Sequence, residues 1–298
     1  MKSFDYTAYS ELIKDLIRDT TYVNNSPRSK LAGLRDFTEI LVRKFLDIGD
    51  DEKIMLGDIT IKSKSSKISS ALSGINANLR NHFIDTIEKI NIHTRDAHHT
   101  QKIKYSDNEV VFVENLILDL YAIIFIQYFM DIKIDIYSDP EISSRFSLLP
   151  PIIRYKTWNY LYSIMPNNIM VVDKLLLSII KVNDKICALG WLEENKQTIM
   201  SIPYPNSKEI FRYKWAHRVP NDPSKCKISL DFDSFINMYD LLINKVNDPR
   251  TSLNENGKLY KNFEEAKLYF EMFKTDPSNE SKELRKLQDL MEFVYLGR

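Results

Sequence analysis

A mainly α-helical protein is predicted from three observations. Glycine is scarce, at seven of 298 residues, about 2% against a usual ~7%. That leaves few sites for positive-φ turns and tight hairpins. Apolar residues recur at helical spacing along most of the chain. Helix starts are written in cap residues, at Ser26-Pro27, Ser106-x-x-Glu109 and Asn262-x-x-Glu265.

Residues 5–20 read as a first helix, with Tyr9, Leu12, Ile13, Leu16 and Ile17 on one side. The second starts at Ser26-Pro27 and turns Leu31, Leu34, Ile40, Leu41 and Phe45 inward; Arg35 and Glu39, four apart, share a face. A polar stretch leads to a third helix at about 70–91. The fourth, about 107–134, carries Val110, Val113, Ile117, Leu120 and Ile124 as its core stripe, widened by Phe125 and Phe129. It is the element expected to be most buried. Ser138-Asp-Pro and Leu149-Pro-Pro mark a join, so a helical bundle is expected over 1–140 and a mostly helical lobe over 141–298. In that lobe helices are expected at about 151–164, 171–182, 185–196, 231–247, 262–274 and 279–295. Between them Phe211, Tyr213 and Trp215 alternate with Arg212 and Lys214. That period of two predicts a small β-ribbon, pairing 209–217 with 225–230.

Composition excludes several classes. Neither GxGxxG nor GxxxxGK[ST] occurs, which argues against Rossmann and P-loop enzymes. Lys+Arg and Asp+Glu are both 41, so no global basic field points to nucleic acid. Cys187 and Cys226 match no zinc spacing. The longest apolar run, 116–130, is broken by Asp119 and Gln127 and falls short of the ~20 residues a spanning helix needs. No apolar signal region opens the chain. No membrane association, a cytoplasmic location, no cofactor and no metal are expected.

The densest chemistry lies in I90-N-I-H-T-R-D-A-H-H-T100. His93, His98, His99 and Asp96 are ligand types, but their spacing is not that of a known metal site. No Ser-His-Asp or Cys-His pattern accompanies them. Arg95 with His98 or His99 supplies the residue types for metal-independent RNA cleavage, a general acid or base beside a cation that stabilises the phosphorane. An ordinary helix end, whose polar side chains satisfy orphan carbonyls, explains the same residues and is the preferred reading. Two basic surfaces follow. Residues 61–105 hold eight Lys/Arg against three acids, enough for an RNA contact. Residues 208–227 hold six against two, interleaved with aromatics, the composition of a partner-binding hot spot. Phe211, Arg212, Tyr213, Lys214 and Trp215 are the expected contact residues.

Three segments together resemble the helical HEPN-like superfamily, in its domain-of-unknown-function and abortive-infection branches. They are S26-P-R-S-K-L-A-G-L-R-D-F-T-E39, I90-N-I-H-T-R-D-A-H-H99 and V113-E-N-L-I-L-D-L-Y-A-I-I-F-I-Q-Y-F129. Arg35 and Glu39 match the R-x-x-x-E pair of such families, and T94-R-D-A-H98 matches the later turn. The resemblance implies a four-helix bundle over about 20–135. Nuclease members carry R-x(4–6)-H, whereas Arg95 lies only three and four residues before His98 and His99. The fold is therefore implied more strongly than the activity. Phage-encoded inhibitors of defence complexes, such as the anti-Gabija proteins, are similar in chain length and in lacking an enzyme signature. The expected function is a non-enzymatic macromolecule binder of bacterium–phage conflict, a defence component or a phage-encoded inhibitor, with a protein partner and a homo-oligomeric state. The alternative is a HEPN-type RNase using Arg95 with His98 or His99.

Overall fold

The computed structural model describes residues 4–98, 104–219, 222–226, 229–252, 263–274 and 280–298. These residues are mainly helical and divide into two compact units. The first comprises 1–127 with 292–298, the second 128–291. The division falls upstream of the join read from the sequence at 140/141.

In the first unit, α1 (Ser10–Ile17) runs into a π-helical turn, Arg18–Tyr22. The α2 helix (Pro27–Leu46) starts as the sequence predicts. Ser26 Oγ accepts from the Ser29 amide, and Pro27 occupies the first turn, where its missing N–H costs nothing. It ends at Asp47, held at φ 51°, whose carboxylate accepts from the Phe4 amide at 2.8 Å. Gly33 lets the helix pass close to the π-turn: a Cβ there would lie 2.7 Å from Thr20 Cγ2. Next come α3 (Ser66–Ser73), α4 (Ala77–Thr94) with a 3-10 continuation Arg95–His98, and α5 (Asp107–Asp131).

Side-chain pairs fix the directions. Arg28 meets Ala97, Arg35 meets Asn91, and Phe45 meets Phe83, so α2 and α4 are antiparallel. His93 stacks near Phe112, while Phe37 meets Tyr121, so α5 reverses α4 and runs along α2. This is a helical bundle. Ser106 and Glu109 close a reciprocal capping box, with the Ser106 amide 3.0 Å from Glu109 Oε2 and the Glu109 amide 3.3 Å from Ser106 Oγ. Residues 120–126 of α5 are buried on every side, as expected for a helix apolar all round. Among the described residues, no helix is long and apolar enough to cross a membrane.

The second unit continues through α6 (Pro140–Phe146), α7 (Pro151–Ile164), α8 (Ile169–Val182), α9 (Lys185–Glu194), α10 (Lys196–Met200), α11 (Ser207–Ala216), α12 (Met238–Asn247), α13 (Pro249–Ser252), α14 (Phe263–Phe273) and α15 (Lys282–Tyr295). Residues 292–295 of α15 belong to the first unit. A four-residue link joins α7 and α8 into an antiparallel pair. Phe129, Phe146 and Trp158 form a core triad with ring centroids 4.5–5.4 Å apart. Arg145 and Glu280 pair at 2.6 Å with both side chains nearly buried.

The expected β-ribbon is not supported. Residues 209–216 lie in α11, and none of the aromatics is on a strand. After α11 the chain reverses where Arg218–Val219 runs antiparallel to Asp222–Cys226. With two residues on one side, this closes a turn and is not the ribbon expected. The overriding signal was in the sequence. Asn206-x-x-Glu209 is a capping box, with the Asn206 amide 2.8 Å from Glu209 Oε2 and Asn206 Oδ1 accepting from the Glu209 amide at 3.2 Å. A reciprocally capped helix start outweighs a short two-residue alternation. The Asn262 cap expected for α14 lies outside the described residues.

Candidate functional site

The histidine-rich segment is built into the end of α4. Thr94 is buried, and its hydroxyl donates back to the Ile90 carbonyl at 2.8 Å. Arg35 reaches across from α2, 2.7 Å from Asn91 Oδ1 and 3.4 Å from Thr94 Oγ1. The carbonyls of the 3-10 turn are satisfied from outside. Tyr105 Oη donates to the Asp96 carbonyl at 2.6 Å, and Arg28 Nε donates to the Ala97 carbonyl at 2.9 Å. These bonds meet the need of a helix C-terminus for donors. Arg95 points outward, 63% exposed, with Nε 3.4 Å from Asp96 Oδ1. His93 packs against Phe112, ring centroids 4.8 Å apart. The side chain of His98, and His99 altogether, lie outside the described residues, and so does Lys102 of the basic face. Among the described residues no group of three His, Cys, Asp or Glu could hold a metal ion.

The basic residues of 61–105 do not share one surface. Lys67 is engaged by Asp51 at 2.8 Å and Glu52 at 3.3 Å. Arg80 and Lys89 are nine residues apart on α4, about two and a half turns, and so point to opposite sides. Lys62, Lys64, Lys89 and Lys104 are exposed.

The partner-contact residues 211–215 are split by the helix. Positions 211 and 215 are one turn apart and share a face, while 213 lies nearly opposite. Phe211 is 63% and Trp215 60% exposed, with rings 6.4 Å apart. The Arg218 guanidinium lies over Trp215, 4.1 Å from its centroid. Lys208 is exposed one turn before Phe211, giving a stripe of Lys208, Phe211, Trp215 and Arg218. Arg212 lies 4.4 Å over the Tyr137 ring, and Lys214 pairs with Asp233. Tyr213 is a core residue. Its hydroxyl accepts from the Ser229 and Leu230 amides at 3.1 Å each, and its ring meets Phe232 edge-on at 5.1 Å. Burial raises its phenol above the ordinary value. Sequence reasoning placed Tyr213 with Phe211 and Trp215 as a contact residue, whereas the helix puts it in the core.

It missed a third place. A cavity of about 450 Å³ opens between α6, α7 and α8, with His217, Ser229, Lys245 and Thr251 completing its wall. Lys174, Ser178 and Lys181 line it from α8, at positions i, i+4 and i+7 of one face. Arg154 lines it from α7 and is 5% exposed. Behind the wall, Asp173 is completely buried; it bonds Lys245 and lies 3.3 Å from Lys174. Burial alone would raise its carboxyl; the Lys245 and Lys174 ammoniums outweigh that and hold it below the ordinary value. Lys181 is pushed down to about 8 by burial and by the charge of Arg154. Burial also lowers His217, which holds its Nδ1 2.9 Å from the Tyr213 carbonyl. The available signal was Asp173, two lysines and a serine within V171-V-D-K-L-L-L-S-I-I-K-V182, the lysines and serine at helical spacing in a helix otherwise apolar.

Set against known proteins, the sequence matches no family model, no curated protein and no solved structure. Fold and sites together define a class: a helical protein with an exposed aromatic–cationic helix face and a cation-lined cavity.

Proposed function

We propose that this protein is a non-enzymatic binder of another protein, acting in bacterium–phage conflict as a defence component or as an inhibitor of a defence complex. The observation that carries binding is the α11 stripe. Two large aromatics more than half exposed, one turn apart and flanked by Lys208 and Arg218, have the composition of an interface hot spot. Their exposure has a cost in water that a partner would remove. The fitting partner surface is an apolar groove rimmed by carboxylates, since Lys208 and Arg218 flank the rings and Glu209 is turned to the helix cap. The conflict setting comes from the resemblance of 26–39, 90–99 and 113–129 to abortive-infection proteins. The test is affinity capture with the wild-type chain and with Phe211→Ala/Trp215→Ala, each checked for an unchanged melting temperature. A protein retained by the wild type and lost with the double variant supports the reading. Equal retention by both places the interface elsewhere.

A further inference from the structure

The exposed stripe on α11 has a counterpart in the same chain. On α14, Leu268 is 67% and Met272 72% exposed. They stand four residues apart and so share a face, one turn from each other. Among the described residues of the second unit, no helix besides α11 and α14 carries two large apolar side chains open to solvent at that spacing. The two ridges differ in the sign of their charged neighbours. At about 100° per residue, Lys208 lies within a quarter-turn of the Phe211–Trp215 line, and Glu209 faces away from it. Arg218 adds a second cation over the Trp215 ring. On α14 the same geometry sets Glu264 and Glu271, both exposed, within a quarter-turn of the Leu268–Met272 line, with Lys267 turned further off.

We infer that the α11 stripe of one copy of this chain docks on the α14 ridge of a second copy. The inference rests on the reading of α11 as a binding surface and names one occupant for it. Two α11 stripes laid together would set Lys208 and Arg218 against their like, which is unfavourable. The α14 ridge offers the opposite sign, and its apolar residues repeat at the same interval, so the side chains of one helix enter between those of the other. Each copy carries both surfaces. In a closed pair the contact is therefore made twice, α11 of each copy on α14 of the other. The free protein then keeps its binding surface covered, and an external protein reaches α11 only by displacing the second copy. Such a competitor needs the chemistry of α14, an apolar ridge beside carboxylates.

The experiment is sedimentation velocity of the full chain across the micromolar range. The wild type dimerises reversibly. Phe211→Ala/Trp215→Ala and Leu268→Ser/Met272→Ser each raise the dissociation constant by about tenfold or more. All four positions are exposed, and unchanged circular dichroism spectra show that both variants fold. An equimolar mixture of the two variants associates again, because one brings an intact α14 and the other an intact α11. Pairing of α11 with α11, or of α14 with α14, gives no such recovery. The inference is overturned if the wild type is monomeric throughout, if the α14 variant associates like the wild type, or if the mixture stays monomeric. Affinity capture separates this from the binding reading. The α14 variant loses self-association and still retains an external partner, whereas capture that ignores Phe211 and Trp215 removes the external partner and leaves the sedimentation result standing.

Discussion

The histidine turn of the first unit and the cavity of the second make opposite use of polar residues. In the turn, Arg28, Arg35 and Tyr105 each end on a backbone carbonyl or a neighbouring side chain. The Arg28 and Arg35 bonds hold the end of α4 to α2. In the cavity, burial and the charge of Arg154 lower the Lys181 ammonium, and Asp173 pairs with Lys245 and Lys174 beside it. In one case neighbours in sequence bond to the helix end they belong to, whereas in the other cations scattered over some ninety residues line one cavity.

The contrast breaks most visibly at Asp173. Asp173→Ala leaves Lys245 and Lys174 without their buried counter-charge, and removal of one partner of a buried pair costs about 3–5 kcal/mol. Urea denaturation measures it; a loss below about 1 kcal/mol would mean that both ammoniums reach water unaided. Arg35→Ala tests the other side. It removes charged hydrogen bonds to Asn91 and Thr94 and is expected to cost about 1.5–3 kcal/mol, whatever its effect on function. Stability unchanged by this substitution would contradict a scaffolding role for the turn.

A third effect is one of pH. The Lys181 ammonium is lowered from 10.5 to about 8, so between those values the unfolded chain binds a proton that the folded chain has released. Stability is therefore expected to rise with pH across that window, by on the order of 1–2 kcal/mol after solvent screening. Below about pH 8 both states hold the proton and the burial cost is constant. Lys181→Gln should abolish this rise, and a difference curve between the two proteins isolates it from other titrations.

How far these regions were legible in the sequence follows from the range of the signals. Ser26-Pro27 and Ser106-x-x-Glu109 act within one turn, and both start their helices where the residues say. The buried α5 was legible because its apolar residues surround the axis. The strand reading of 209–217 failed because Phe211, Tyr213 and Trp215 satisfy a period of two only over five residues. Asn206-x-x-Glu209, a reciprocal cap, was the stronger signal and was passed over. The helix then sent Tyr213 to the core and left Phe211 and Trp215 outside, so the exposed pair was half legible. The cavity was not, because Arg154, Lys181 and Lys245 meet only through the packing of α7, α8 and α12. No local pattern records a contact between residues so far apart in the chain.

The smallest expected effect on stability is at Arg95. Its side chain is mostly exposed beside Asp96, so Arg95→Ala should move stability by no more than about 0.5 kcal/mol, read by thermal denaturation. That makes it a clean probe of function. The deciding measurement is phage plating efficiency on cells producing the wild-type protein, Arg95→Ala/His98→Ala, or Phe211→Ala/Trp215→Ala at equal levels. The binding reading predicts that the first pair stays within a few-fold of wild type, because a general acid or base would be worth about 10²–10⁴ in rate, and that the second pair loses the effect. Loss with the Arg95/His98 pair and retention with the α11 pair would contradict it and move the chemistry to the histidine turn.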